Sequence, residues 1–207
     1  MKEICVRKAV LSDIPYVYDI CLKTGDEGKD ATAFFRDPYL IGHYFAAPYL
    51  AYQQGICYVA EYEYPQGYIL AVPDTAAFMQ WMEEHWLPPL RERFSAYFLD
   101  AGSEKEQWIM RLIYKKQYPI PADDQPWLAD YPAHLHIDLL PGIQRKGIGH
   151  ILMDKLLSDL VQRNVPGLSF GVGIHNIAAI NFYHKMGFSV LMAEEWGYIM
   201  GKNLLKG

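Results

Sequence analysis

The chain has 207 residues, enough for one domain with a sizeable core, or one domain carrying an insertion. It is 51% apolar with a net charge of −5, a composition that excludes a disordered chain and argues against general nucleic-acid binding, which wants a basic footprint. No apolar run reaches the ~18–20 residues that span a bilayer, residues 1–20 hold Glu3, Asp13 and Asp19 with no apolar signal core, and Cys5, Cys21 and Cys57 form neither a disulfide framework nor a zinc spacing; a cytoplasmic protein with reduced thiols is expected.

In chain order, Glu3 to Ala9 alternates like a first strand. Ser12 or Asp13 then caps a helix with Pro15 in its first turn and Ile14, Val17, Tyr18 and Cys21 on its apolar face. Residues 24–54, punctuated by Gly25, Gly28, Pro38, Gly42 and Pro48, predict short helices joined by turns. Ile56 to Glu63 and Gly67 to Val72 read as a hairpin around Tyr64-Pro65-Gln66. Asp74 or Thr75 caps a helix with Phe78, Met79, Met82 and Trp86 on one face; Pro88-Pro89 is expected to interrupt it, with a separate helix from Leu90 to Phe94. Residues 100–132 form a long connection with a helix or strand at Gln107 to Tyr114 and a proline-rich loop. The pattern then tightens to a strand at His134 to Leu140, a helix at 148–163, a strand at Leu168 to Gly173, a helix at 176–186 and strands at Phe188 to Met192 and Trp196 to Lys202. An α/β layer arrangement with a ligand at the carboxyl end of a strand follows.

Between the strand ending at Leu139-Leu140-Pro141 and the helix beginning at Ile148 stands Gln144-Arg145-Lys146-Gly147-Ile148-Gly149. A helix start offers unpaired N–H groups and the positive end of the macrodipole, and glycines let a diphosphate approach the backbone. The spacing Q-x-x-G-x-G is neither GxxxxGK[ST] nor GxGxxG, which argues against ATP in a P-loop and a dinucleotide on a Rossmann unit. Taken alone, the hexapeptide reads more readily as ordinary helix capping than as a cofactor site. Downstream, Asn176-Ile177-Ala178-Ala179-Ile180-Asn181-Phe182-Tyr183-His184-Lys185-Met186-Gly187-Phe188 supplies N-x-x-A-x-x-F-Y-x-x-x-G-F.

With both segments in this order, the chain resembles the GCN5-related N-acetyltransferase (GNAT) superfamily over about residues 1–72 and 134–202. The resemblance implies an α+β fold with a mixed, mostly antiparallel central sheet flanked by helices. About sixty residues, 73–133, stand where the family usually has a tight turn between strands 3 and 4, and a helical insertion in a single domain is expected there. The segments from Pro73 to Arg91 and His134 to Asp138 are similar to the acetyltransferase-like C-terminal domain of nuclear O-GlcNAc hydrolases and its free-standing bacterial relatives.

The resemblance further implies acetyl-CoA as co-substrate, its pyrophosphate on the amides of Arg145 to Gly149 and its pantetheine along the fourth strand. Gln144, Arg145, Lys146, Gly147, Ile148, Gly149 and Asn176 are the expected cofactor residues, with Leu139 or Leu140 as an oxyanion donor. The Arg145 and Lys146 side chains read equally as charge partners or as a solvated helix start. Tyr183 matches the general acid that protonates the leaving thiolate, although a tyrosine on this helix face would also pack as core. Asn176 is a helix N-cap on sequence grounds.

Direct transfer to an amine also needs a group to take the ammonium proton, and no metal or covalent nucleophile. His134, His136 and Asp138 share one face of their strand by period two, unusual for a buried central strand. They read as a His–Asp relay, a satisfied network, or a metal pair lacking a third ligand; Asp138 is the first choice for acceptor contact and His136 the second. Aromatics from Phe34 to Tyr52, with Trp81, Trp86, Trp108 and Trp127, are the source of an acceptor wall or simply core. The expected activity is acetyl transfer from acetyl-CoA to a small-molecule or peptide amine, with no nucleic acid and no membrane; a homodimer is left open. The alternative is a degenerate GNAT-like binding module for a glycan, peptide or protein.

Overall fold

The computed structural model describes residues 4–94, 102–116, 118–121 and 124–205. The strands are β1 (Cys5–Lys8), β2 (Ile56–Glu61), β3 (Pro65–Val72), β4 (Ala133–Leu139), β5 (Gly167–Gly173), β6 (Ser189–Glu194) and β7 (Gly197–Asn203). They form one seven-stranded sheet in the order β1-β2-β3-β4-β5-β7-β6. β4 and β5 run parallel and every other neighbouring pair is antiparallel. The mixed, mostly antiparallel sheet expected from the sequence is therefore present. Residue 3, with which the first strand was expected to begin, lies outside the described residues.

The sheet is covered on both faces. Successive β3 side chains alternate: Tyr68, Leu70 and Val72 join one apolar cluster, and Ile69 and Ala71 join the other. The first cluster is closed by α1 (Ile14–Thr24), α2 (Leu40–Phe45), α3 (Ala47–Ala51), α4 (Thr75–Trp81), α5 (Leu87–Arg93) and α6 (Glu104–Tyr114). Helices α4, α5 and α6 fill the connection between β3 and β4. The second cluster is closed by α7 (Ile148–Gln162) and α8 (Ile177–Lys185). Ile148, Leu152, Met153, Leu156 and Leu160 are buried on one stripe of α7, and each such side chain contributes about 1.5–3 kcal/mol. That stripe fixes where the N-terminus of α7 points.

Two local expectations are corrected. Asp13 stands before α1 but does not cap it. Its carboxylate turns back to accept from Arg7 Nη1 and Nη2 at 2.7 and 2.8 Å and from the Val10 N–H at 2.9 Å. A guanidinium fork offers two charged donors, a stronger partner than one helix amide. Pro88-Pro89 does not interrupt a helix. Both prolines lie in the first turn of α5, where a missing N–H leaves no bond unmade, and the irregularity falls upstream in a π-helical turn at Met82–Trp86.

The Arg7 guanidinium holds the Asp13 carboxyl below the usual carboxylate range against the opposing effect of burial. A depressed folded pKa gives stability that is present above the unfolded value, near 4, and lost as pH falls through the folded value. Asp13→Asn is therefore expected to lower stability by about 1–2 kcal/mol at pH 7, with partial exposure of Arg7 moderating the loss. Urea melts at pH 7 and pH 3 check this: the gap between wild type and variant should shrink at pH 3.

Candidate active site

β4 and β5 share only two rungs, Ala133↔Leu168 and His134↔Ser169, and then part. On its other edge β4 stays paired with β3 from Val72↔His134 to Gly67↔Leu139. The Leu140 N–H continues that ladder by donating to the Gln66 carbonyl at 2.9 Å. Antiparallel bonding alternates, so the backbone groups of Leu135, Ile137 and Leu139 turn toward the gap. Of the two expected oxyanion donors, Leu140 is thus engaged elsewhere and Leu139 faces the opening.

Beyond β4 the chain makes a tight turn at Pro141–Ile143, with Ile143 buried, and Gln144 Nε2 donates to the Leu139 carbonyl at 2.8 Å. This bond ties the loop to the strand end. Arg145 and Gly147 take left-handed backbone, φ +58° and +79°. Alternation in the sign of φ along Gln144 to Gly147 turns successive N–H groups to one side, as in an anion-binding nest. The amides of Arg145 to Gly149 have no protein acceptor among the described residues. The Arg145 and Lys146 side chains are exposed. A Cβ on Gly147 would meet nothing within 4 Å, so its backbone angle, not protein crowding, calls for glycine. At Gly149 a Cβ would touch Phe182 at an ordinary 3.5 Å.

α8 brings Asn176 and Tyr183 to the same side of the sheet. Asn176 Oδ1 accepts from the Ala179 N–H at 3.2 Å and caps α8, which leaves its side-chain NH₂ available. The Tyr183 ring is buried against Phe170, at 4.3 Å between centroids, with Phe182 and Phe188 around it. No hydrogen bond engages its hydroxyl among the described residues. Burial, and secondarily the charge of Asp138, push the phenol well above its ordinary pKa of 10, so it stays protonated at neutral pH.

The polar face of β4 divides in two. Asp138 Oδ2 accepts from the Tyr68 hydroxyl at 2.6 Å. Burial raises its pKa, opposed by hydrogen bonds from Tyr68 and Thr24, so the carboxyl is held between β3 and α1. His134 bonds Tyr49 Oη through Nε2 at 2.6 Å and Thr75 Oγ1 through Nδ1 at 2.8 Å. His136 Nε2 lies 3.0 Å from the same Tyr49 hydroxyl. The expected His–Asp relay is therefore not formed; a tyrosine joins the two histidines, and Asp138 pairs across the strand with Tyr68.

Both histidines line a cleft of about 570 Å³, walled by Phe45, Tyr49, Phe78, Met82, Trp127 and Trp196, with Lys115, Lys116, Asp124 and Glu194 also along it. Of the expected aromatic wall, Tyr44, Phe45, Tyr49 and Trp127 line this cleft, whereas Phe34, Phe35, Tyr52, Trp81 and Trp86 pack with the first cluster. Trp196 was not anticipated. Its ring lies over Gly171, where a Cβ would come within 2.7 Å of it, and a glycine inside a strand was the available signal. Thr75 was read only as a cap, but Asp74 caps α4 by accepting from the Ala77 N–H at 3.0 Å, which frees Thr75 for His134.

The fold that carries this geometry is similar to that of several solved proteins, acetyltransferases among them. A protein called SsHAT superposes with a TM-score of 0.87 at 29% identity, covering 99% of this chain and all of its own. PaiA N-acetyltransferase from Thermoplasma acidophilum, solved with coenzyme A, gives 0.59 at 14% identity over 97% of this chain and 99% of that one. YncA, a putative acetyltransferase from Salmonella typhimurium solved with acetyl-CoA, gives 0.59 at 14% over 99% and 96%. At 14% identity these last two are likenesses of fold. The acetyltransferase (GNAT) family model matches residues 28–188, and the chain belongs to that family.

Proposed function

We propose that this chain is an acetyl-CoA-dependent N-acetyltransferase acting on a primary amine by direct attack, with residues 1–207 working as one domain and 73–133 as its insertion. The observation that carries the reading is the gap between β4 and β5 beside the open nest at Arg145–Gly149. The donor set suits a diphosphate: unpaired amides, an open Cβ position at Gly147 and two exposed cations, Arg145 and Lys146. Asn176 contributes its remaining NH₂. Acetyl-CoA supplies the activated acetyl thioester. The free backbone edge of β4 aligns the carrier arm, and the Leu139 N–H polarises the carbonyl oxygen, an effect worth about 3 kcal/mol in other enzymes. Tyr183 gives its proton to the departing sulfur, and the polar face of β4 takes the proton of the amine. The aromatic cleft suits an amine on an apolar or aromatic body. No helix among the described residues is long and apolar enough to cross a membrane, in keeping with the cytoplasmic setting that we also propose.

Thermal shift with CoA and acetyl-CoA, then thiol release over a panel of primary amines, tests this. Stabilisation by CoA and thiol release with at least one amine are expected. No shift at millimolar CoA sinks the reading and favours a binding module. Stabilisation with no release from any amine points instead to a sensor.

The nest has its own test. Gly147→Ala and Gly28→Ala place a Cβ at similar positive φ, +79° and +86°, and neither meets protein within 4 Å. Each should lose a similar ~1–2 kcal/mol of stability through backbone strain. Only Gly147→Ala should weaken CoA binding, by roughly tenfold, or ~1.4 kcal/mol. Calorimetric titration of both variants checks it, and equal CoA affinity in the two would remove Gly147 from the site.

A further inference from the structure

We infer that His136 takes the proton of the acceptor amine at Nδ1, and that Thr75, His134 and Tyr49 are positioning residues that hold it in the tautomer able to do so. The source of the proton rests on the acetyl-transfer reading; the hydrogen-bond directions do not.

The directions follow from one end of the chain of bonds. Thr75 Oγ1 lies 2.6 Å from the Pro132 carbonyl oxygen, which can only accept, so the single threonine proton points there. Thr75 Oγ1 must then accept from His134 Nδ1–H at 2.8 Å. With its proton on Nδ1, neutral His134 has a lone pair on Nε2, which accepts the hydrogen bond donated by the Tyr49 hydroxyl at 2.6 Å. Tyr49 Oη has no second proton, so it accepts from His136 Nε2–H at 3.0 Å. The lengths agree with these assignments, since O–H donors make shorter bonds than N–H donors. His136 is thereby left with a bare lone pair on Nδ1. That nitrogen has no partner among the described residues and is not among the buried unpaired atoms, and the ring lines the cleft.

Burial keeps the relay neutral. It lowers His136 to about 4 and His134 to about 3, and it raises Tyr49 well above 10. Asp138, the other polar group of this face, is excluded by its placement: its Oδ2 is held by Tyr68, and it does not line the cleft. In the transfer, the nitrogen lone pair of the neutral amine forms the new bond to the acetyl carbon. One N–H bond breaks, and its proton goes to His136 Nδ1. The C–S bond breaks with its electron pair on sulfur, which takes the Tyr183 proton. His136 then releases its proton to solvent, and Tyr183 regains one from solvent.

The test is an imidazole ¹⁵N–¹H correlation spectrum of the full chain labelled with ¹⁵N-histidine at pH 7, with His134→Gln and His136→Gln assigning two of the seven histidines. Opposite neutral tautomers are expected, the proton on Nδ1 in His134 and on Nε2 in His136. In Tyr49→Phe, His136 should become a tautomer mixture while the melting transition stays cooperative. The same tautomer on both rings, or a proton on His136 Nδ1, would overturn the inference whether or not the protein binds CoA. In turnover with an amine acceptor, His136→Gln should lose about 100-fold in kcat with the CoA thermal shift unchanged. His134→Gln, which keeps an oxygen to accept the Tyr49 proton, should recover part of what His134→Ala loses. Wild-type kcat in His136→Gln also overturns it. Absence of a CoA shift in the wild type would instead sink the acetyl-transfer reading and leave the tautomer result standing.

Discussion

Tyr183→Phe is expected to lower kcat for acetyl transfer by about 100- to 1,000-fold, in the lower part of the usual range for loss of a placed general acid. The ring is the larger part of the side chain and is packed against Phe170, Phe182 and Phe188, so phenylalanine should keep the fold. Only the hydroxyl is lost, and no hydrogen bond among the described residues depends on it. The raised phenol pKa keeps the acid protonated through neutral pH, so the deficit should be constant between pH 6 and pH 9. CoA affinity should change less than about threefold, because the interaction removed acts on charge that develops at sulfur during reaction. Pre-steady-state thiol release separates this step from product release. A variant with wild-type release would return Tyr183 to the role of core aromatic.

The proposed cofactor half of this site can be read from sequence because it is local. Gln144 to Gly149 and Asn176 to Phe188 each lie within one turn–helix unit, so spacing alone fixes which groups meet. Gly147 owes its place to a backbone angle, and such positions are written in glycine. The proposed acceptor half is built across the chain: Tyr49 meets His134 and His136 over 85 and 87 residues, and Tyr68 meets Asp138 over 70. Period two put three polar groups on one face of β4 but could not say which neighbour each would find. Residues on one strand face lie two apart along the chain, while cross-strand partners sit directly opposite, and that proximity gave Asp138 to Tyr68 rather than to a histidine. The Asp13 and Pro88-Pro89 misreadings have the same origin: local propensity named a cap and a breaker, and a guanidinium and a first helical turn were better uses of those residues.

The largest stability effect is expected at Glu106, which joins α6 to the segment after α1. Its carboxylate has no exposed surface and accepts from Arg36 Nε at 2.7 Å and from the Arg36 backbone N–H at 3.2 Å. Ser103 caps the same helix by accepting from the Glu106 N–H at 3.1 Å and donates to the Phe34 carbonyl at 2.6 Å, so two bonds cross the same seam. Arg36→Ala leaves a buried carboxylate without its cation, a change that costs 3–5 kcal/mol at fully enclosed sites. Arg36 is itself about half exposed, water can reach part of the vacated space, and ~2–4 kcal/mol is the expected loss. Glu106→Gln keeps an oxygen for the Arg36 N–H and removes the charge that needs compensation, so it should cost about 1 kcal/mol. The order Arg36→Ala worse than Glu106→Gln is the diagnostic, read from urea midpoints at constant slope. Lys115 follows α6 directly and lines the cleft, and Trp108 on α6 stacks on the cleft residue Phe45 at 5.5 Å. Loosening this seam should therefore raise KM for the amine while CoA affinity holds. Equal losses in the two variants would mean that water already solvates the carboxylate and that the apolar face of α6 alone anchors the insertion.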